Sequence, residues 1–170
     1  MSADIERAIQ EATGLINGGG IITTPVPVER LARRQGVQVR YAPLDGELSG
    51  MAYIKDGIAI IGVNSLHHRH RQRFTLAHEL GHIQLHKPLL ENEVHLDRGS
   101  LRRDWLASQG IDDHEIEANV FASELLMPKQ ILDGVVGGKL IDLEDDDAID
   151  VLARRFRVSS AAMRYRLQRA

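Results

Sequence analysis

His78-Glu79-Leu80-Gly81-His82 sets two imidazoles four residues apart, with a carboxylate beside the first. Positions i and i+4 of a helix share a face, so both rings can reach one metal ion. The adjacent glutamate can accept a proton from a water held by that ion. Water on zinc titrates near pH ~7 instead of ~15.7, which makes hydroxide available under mild conditions. The pattern points to metal-assisted hydrolysis, with His78 and His82 as ligands and Glu79 as general base. Gly81 weakens a helix by roughly 1 kcal/mol relative to alanine. Its place inside the motif is explained if another backbone or a ligand must come close.

Catalytic zinc takes three protein ligands plus water, so a third is required. His86 lies one turn beyond His82 but eight residues from His78, about 12 Å along a straight helix at ~1.5 Å per residue. The three rings cannot meet at one ion, and His86 is expected to pack against or support the site. The better source is Glu115-Ile-Glu-Ala-Asn-Val-Phe-Ala122. Glu115, Ala118, Asn119 and Ala122 share one helical face, and the alanines allow close approach to the first helix. Glu115 is then the third ligand. Asn119, one turn on, is placed to accept a hydrogen bond from a ligating histidine. Glu117 points away from that face, toward solvent or a salt bridge, and is the alternative ligand. Zinc suits this donor set, and manganese or iron also fit two histidines and a glutamate with open positions.

These residues need elements to hold them. The spacing of Ile5, Ala8, Ile9, Ala12 and Ile16 predicts a helix over 3–16, and Gly36 stops a second one over 28–34. Val37, Val39 and Tyr41 alternate as in a strand. Met51–Lys55 and Ile58–Ile61 flank Asp56-Gly57, a pair suited to a type I′ hairpin turn. A helix is expected over 73–86, ended by Pro88, and another over 113–126, capped by Asp112 or Asp113 and closed by Pro128. Residues 90–110 read as polar and irregular, with a helical piece around 101–108. The remainder reads as helical, broken at Gly137-Gly138 and near Arg157-Val158-Ser159, where Ser159 is a good N-cap.

Arg73-Phe-Thr-Leu-Ala-His-Glu-Leu-Gly-His82, followed by Glu115-Ile-Glu-Ala-Asn-Val-Phe-Ala-Ser-Glu-Leu-Leu-Met-Pro128, resembles the ImmA/IrrE family of metallopeptidases. Weaker similarity extends to the hairpin, to Asn64 and to 151–167. The resemblance implies an α+β, small zincin-like fold: a twisted, mainly antiparallel sheet beside the HExxH helix and the glutamate-bearing helix. The expected division is a metallopeptidase domain over 1–128 and a helical, helix-turn-helix-like segment over 129–170 packed on it. The resemblance also implies zinc on His78, His82 and Glu115, with Glu79 as base. It implies cleavage of an intracellular protein partner, commonly an Xre-type helix-turn-helix repressor, in stress responses and mobile-element control. The edge of the 51–63 hairpin is the expected seat for the substrate as an added strand. Arg73 is expected in a structural salt bridge.

Composition removes other classes. Of 170 residues none is cysteine, which excludes disulfides, thiol nucleophiles and cysteine-ligated metal. No apolar run approaches the roughly 20 residues of a membrane helix. The first residues lack the basic start and apolar stretch of a signal peptide, so a cytoplasmic protein is expected. Net charge is −3, which favours no class of partner. Two rival readings stand beside the peptidase: a non-catalytic metal-binding regulator, and a DNA- or repressor-docking protein acting through the last two helices. Six arginines between 154 and 169 suit phosphate contacts, but the acidic run Glu144–Asp147 sits beside them, and direct DNA binding is the weaker reading.

Overall fold

The computed structural model describes residues 2–99 and 112–170. The expected helical piece at 101–108 lies outside them. Helix α1 (Ile5–Gly18) is capped by Asp4, whose side chain accepts the Arg7 N–H. Helix α2 (Val28–Arg34) leads into strand β1 (Gln38–Ala42). Strands β2 (Gly50–Lys55) and β3 (Ile58–Asn64) form the hairpin. Asp56 and Gly57 both have positive φ, 53° and 76°, as a type I′ turn requires.

Helix α3 (Arg69–Leu85) carries the HExxH motif. It starts four residues before the sequence-based expectation, because the His68 side chain accepts the His70 N–H and caps it there. Pro88 does not simply stop the chain. It sits in the first turn of a short helix, α4 (Lys87–Leu90), where a missing N–H costs nothing. Strand β4 (His95–Asp97) follows, in a stretch the sequence presents as irregular. Helix α5 (Asp113–Leu126) is capped by Asp112. Helices α6 (Lys129–Val136), α7 (Asp146–Phe156) and α8 (Ser160–Gln168) complete the described chain.

The sheet order is β1-β3-β2-β4. β1 runs parallel to β3, while β2 is antiparallel to both β3 and β4. The sheet is therefore mixed, with antiparallel pairing on the side nearest the motif. Helix α3 packs on β2 and β3 with one side and on α5, α1 and α2 with others. Surrounded in this way, Thr75 to Ile83 are buried without a break.

Two glycines let α3 lie close to its neighbours. A Cβ on Gly81 would stand 3.0 Å from a Phe121 ring carbon and 3.2 Å from the Ala118 Cα. The expected tight crossing of α3 and α5 is made there, with Ala118 and Ala122 fully buried. A Cβ on Gly50 would meet the Thr75 side chain and the Gly62 carbonyl, so β2 lies close under α3.

The C-terminal helices share the core of the rest. Ile149, Phe156, Val158 and Met163 belong to the same buried cluster as Leu76, Leu80, Phe121 and Leu125. Arg166 is buried; its Nε donates to the Met127 carbonyl at 3.0 Å and its guanidinium pairs with Glu124 at 2.9 Å.

Candidate metal centre

One turn of α3 and the first turn of α5 bring the predicted ligands together. His78 Nε2 and His82 Nε2 stand 3.2 Å apart. Glu115 Oε2 is 3.2 Å from His78 Nε2, and its Oε1 is 3.1 Å from His82 Nε2. Donors bound 2.0–2.2 Å from a tetrahedral ion stand roughly 3.3–3.5 Å apart. The three side chains thus form nearly the triangle that one ion needs, and they are the imidazole and carboxylate types that zinc accepts. A second observation agrees. Glu79 is fully buried, yet its Oε1 has no hydrogen-bond partner, an arrangement that water or a ligand at the cluster would relieve.

A fourth residue joins them that the sequence reading did not single out. His95, on β4, donates from Nε2 to the ionised Glu115 Oε1 at 2.7 Å and pairs through Nδ1 with Glu79 Oε2 at 2.9 Å. Its ring centroid lies 3.9 Å from that of His82. One donor atom from each of His78, His82, His95 and Glu115 lies within 4.8 Å of the others. The only sequence signal was the crowding of all eight histidines between positions 67 and 114. Nothing in the spacing of His95 says that a three-residue strand will turn it inward.

His82 is held from behind. Its Nδ1 is 3.0 Å from His86 Nδ1, and His86 Nε2 is 2.7 Å from Glu117 Oε2. Glu117 Oε1 in turn accepts the Asp4 N–H at 2.7 Å. With His86 neutral, its Nε2–H donates to Glu117, which leaves Nδ1 as acceptor. His82 must then donate from Nδ1, and its Nε2 lone pair faces Glu115 and His78. Glu117 is thus buried in an ion pair with His86, the salt bridge that was one of its two expected places, and not turned to solvent.

The electrostatics follow burial and these contacts. Burial, with the neighbouring His78 and His95, drives His82 down to about 3 despite its bond to Glu115. Burial also keeps His86 below its ordinary value, against the pull of Glu117. Burial raises Glu79, opposed by His95. Burial would raise Glu115 too, but hydrogen bonds to His78, His82 and His95 hold it far below the usual carboxylate range. For His95, burial is outweighed by Glu115 and Glu79, and it is lifted to about 10.

Other expected contacts are not formed. Asn119 Oδ1 and His78 Nδ1 are both buried without a partner, so the anticipated bond from a ligating histidine to Asn119 is absent. Arg73 meets no carboxylate among the described residues. Its Nε donates to the Arg157 carbonyl at 3.3 Å, and burial beside Arg157 lowers its affinity for its proton. The outer edge of β2 is also not free, because Gly50, Met51 and Ala52 pair with Asp97, Leu96 and His95.

Two cavities flank the centre. One of about 570 Å³ is lined, among the described residues, by the four clustered side chains with Leu89, Val94 and His114. A larger one of about 960 Å³ lies between α3, α5 and the last two helices, lined by Phe74, Asn119, Arg154 and Tyr165 among others. Phe74 stacks on His78 at 6.3 Å between centroids, so it stands between the second cavity and the His78–His82–Glu115 cluster.

The family model of the IrrE N-terminal-like domain, Peptidase_M78, matches residues 32–168. No curated protein matches the sequence significantly. Among solved structures, a Mycobacterium tuberculosis transcriptional regulator has the same fold, with a TM-score of 0.60 and 18% identity. The alignment covers 93% of this chain and 45% of that one, so this chain spans less than half the length of that protein.

Proposed function

Because the chain belongs to the Peptidase_M78 family of IrrE N-terminal-like domains, we propose that it is a metal-dependent endopeptidase acting on a protein partner. The observation that carries this reading is the triangle of His78, His82 and Glu115 beside the buried carboxylate of Glu79. His78, His82 and Glu115 would hold the ion. When bound, a divalent ion there supplies Lewis-acid polarisation of a carbonyl and lowers the pKa of water.

The chain's own groups do the rest. Glu79 is buried against the ligand cluster, and burial raises its proton affinity toward the range where a carboxylate can both take and return a proton. It receives the proton of the attacking water and delivers it to the leaving amine. Glu115 stays ionised and balances the ion's charge. His86 and Glu117 keep His82 in the tautomer whose Nε2 is free to ligate.

The preferred substrate is an Xre-type helix-turn-helix repressor, and the preferred ion is zinc. The sequence resemblance to ImmA/IrrE peptidases supports both. The similarity in fold to a transcriptional regulator is compatible with a setting in transcription control. The test is to incubate the zinc-loaded protein with such repressors and follow fragment formation by mass spectrometry, alongside Glu79→Gln. Cleavage by the wild type, and its loss in a variant that retains one zinc per chain, supports the reading. Equal cleavage by the variant removes Glu79 from the mechanism.

A further inference from the structure

The outer edge of β2 is the natural seat for an extended substrate. It runs antiparallel to β3 directly beneath α3, with Gly50 close to Thr75 and Glu79. A peptide added there gains main-chain hydrogen bonds and passes beside the metal ligands. In this structure that place is taken by the chain itself. β4 pairs antiparallel with β2 over Gly50–Ala52, and the pairing sets His95 among Glu79, Glu115 and His82.

From this geometry we propose that β4 is an internal substitute for substrate, and that His95 is the fourth ligand that closes the metal's open position. The inference rests on the peptidase reading above. Catalytic zinc sites keep one position for water, whereas structural sites are closed by four protein ligands. His95 supplies a fourth donor within 4.8 Å of the other three. Its second nitrogen faces Glu79, which is how a carboxylate usually orients a ligating imidazole. The same contact occupies the general base. The site is thus blocked twice by one residue, at the metal and at Glu79.

The strap is built to leave. It is three residues long and lies at the sheet edge, and Leu96, its one apolar side chain, faces outward and is exposed. Among the described residues, its hydrogen bonds beyond the pairing with β2 and the Ser49 N–H on the Asp97 carbonyl are those of His95 to Glu79 and Glu115. A substrate strand pairing with β2 removes β4 and carries His95 out of the cluster, so that site opening and substrate binding are one event.

The test compares the full-length wild type with His95→Ala and His95→Gln, each loaded with cobalt(II) or zinc. Glutamine retains a donor for Glu79 but is a poor ligand, and it guards against a folding defect in the alanine variant. The visible cobalt spectrum is expected to change in both variants, and added imidazole is expected to restore it in His95→Ala. Zinc affinity is expected to fall at least ~10-fold, while cleavage of labelled, unfolded casein rises. Unchanged spectra and affinities overturn the proposal and leave the peptidase reading intact. A fall in cleavage also overturns it, because His95 then assists the reaction. Changed spectra with no cleavage by any of the proteins, of casein or of the helix-turn-helix repressors, uphold the coordination proposed here and overturn the peptidase reading beneath it.

Discussion

His86 stands between His82 and an acid: Nδ1 faces His82 Nδ1 at 3.0 Å, and Nε2 meets Glu117 Oε2 at 2.7 Å. His86 cannot reach the ion proposed for His78 and His82, but it fixes which nitrogen of His82 faces that place. Replacing the outer partner of a ligating histidine typically costs 10–100-fold in metal affinity. His86→Ala and Glu117→Gln are therefore each expected to weaken zinc binding by about that factor, measured by competition with a chromophoric chelator. The double variant should lose little more than either single one, since both break the same chain. Additive losses would mean that the two residues act separately.

Glu115→Gln tests the ligand assignment against its neighbour. Glu115 touches His78, His82 and His95, whereas Glu117 contacts His86 and the Asp4 N–H. Removing the Glu115 charge deletes a ligand and leaves only imidazoles, so zinc affinity should fall well beyond the ~10–100-fold expected for loss of an outer partner. Glu117→Gln should keep zinc at a reduced affinity. If the two variants exchange these behaviours, Glu117 is the ligand.

Much of this centre was readable from residue types. An i, i+4 histidine pair, a flanking glutamate and a second helix with alanines beside a glutamate carry their geometry in their spacing, because helical periodicity is local. The Asp56-Gly57 turn is legible for the same reason. What escaped is what depends on long-range pairing. β4 exists because β2 offers it an edge, and His-Leu-Asp has neither the length nor the alternation of a strand. With β4 unseen, His95 had no assigned place. For Glu117 the spacing left solvent or a salt bridge open; the ion pair with His86 is formed, and α1 with its Asp4 N–H lies where solvent was the other choice.

Gly81 gives a stability prediction with a metal readout. Alanine gains roughly 1 kcal/mol in helix propensity. Its Cβ, however, would press on the Ala118 backbone at 3.2 and 3.3 Å and on Phe121 at 3.0 Å. Backbone cannot swing aside, and overpacking typically costs 1–3 kcal/mol. Gly81→Ala should lower the Tm and weaken zinc binding together, because α5 carries Glu115. A rise in Tm with unchanged zinc affinity would show that the crossing has slack.

Metal-free protein should lose stability in alkali through His95. Its folded value is lifted to about 10 from 6.5, chiefly by Glu115 and Glu79 overcoming burial. A raised base contributes stability that is fully present below its unfolded value and lost as pH rises through the folded one. The difference in Tm between metal-free wild type and His95→Ala should accordingly shrink from pH 6.5 to about 10. Thermal melts in chelator across that window measure it. A constant difference means that His95 does not hold its proton in the folded chain.

The last helix bears on the DNA-binding reading. Its arginines were counted as phosphate contacts, yet Arg166 is buried against Glu124 and the Met127 carbonyl, and Arg164 pairs with Asp146. An arginine held in a buried pair is not available to a phosphate. Removing one partner of such a pair costs about 3–5 kcal/mol, because the other charge is left buried. Arg166→Met should therefore be strongly destabilising, with Glu124 stranded. Arg166→Met combined with Glu124→Leu should recover much of the loss, since an apolar pair of similar volume is tolerated there. Denaturant unfolding of the three proteins decides this. A mild effect of the single variant would mean that Glu124 reaches water, and that α8 sits less firmly on α5 than its buried Met163 implies.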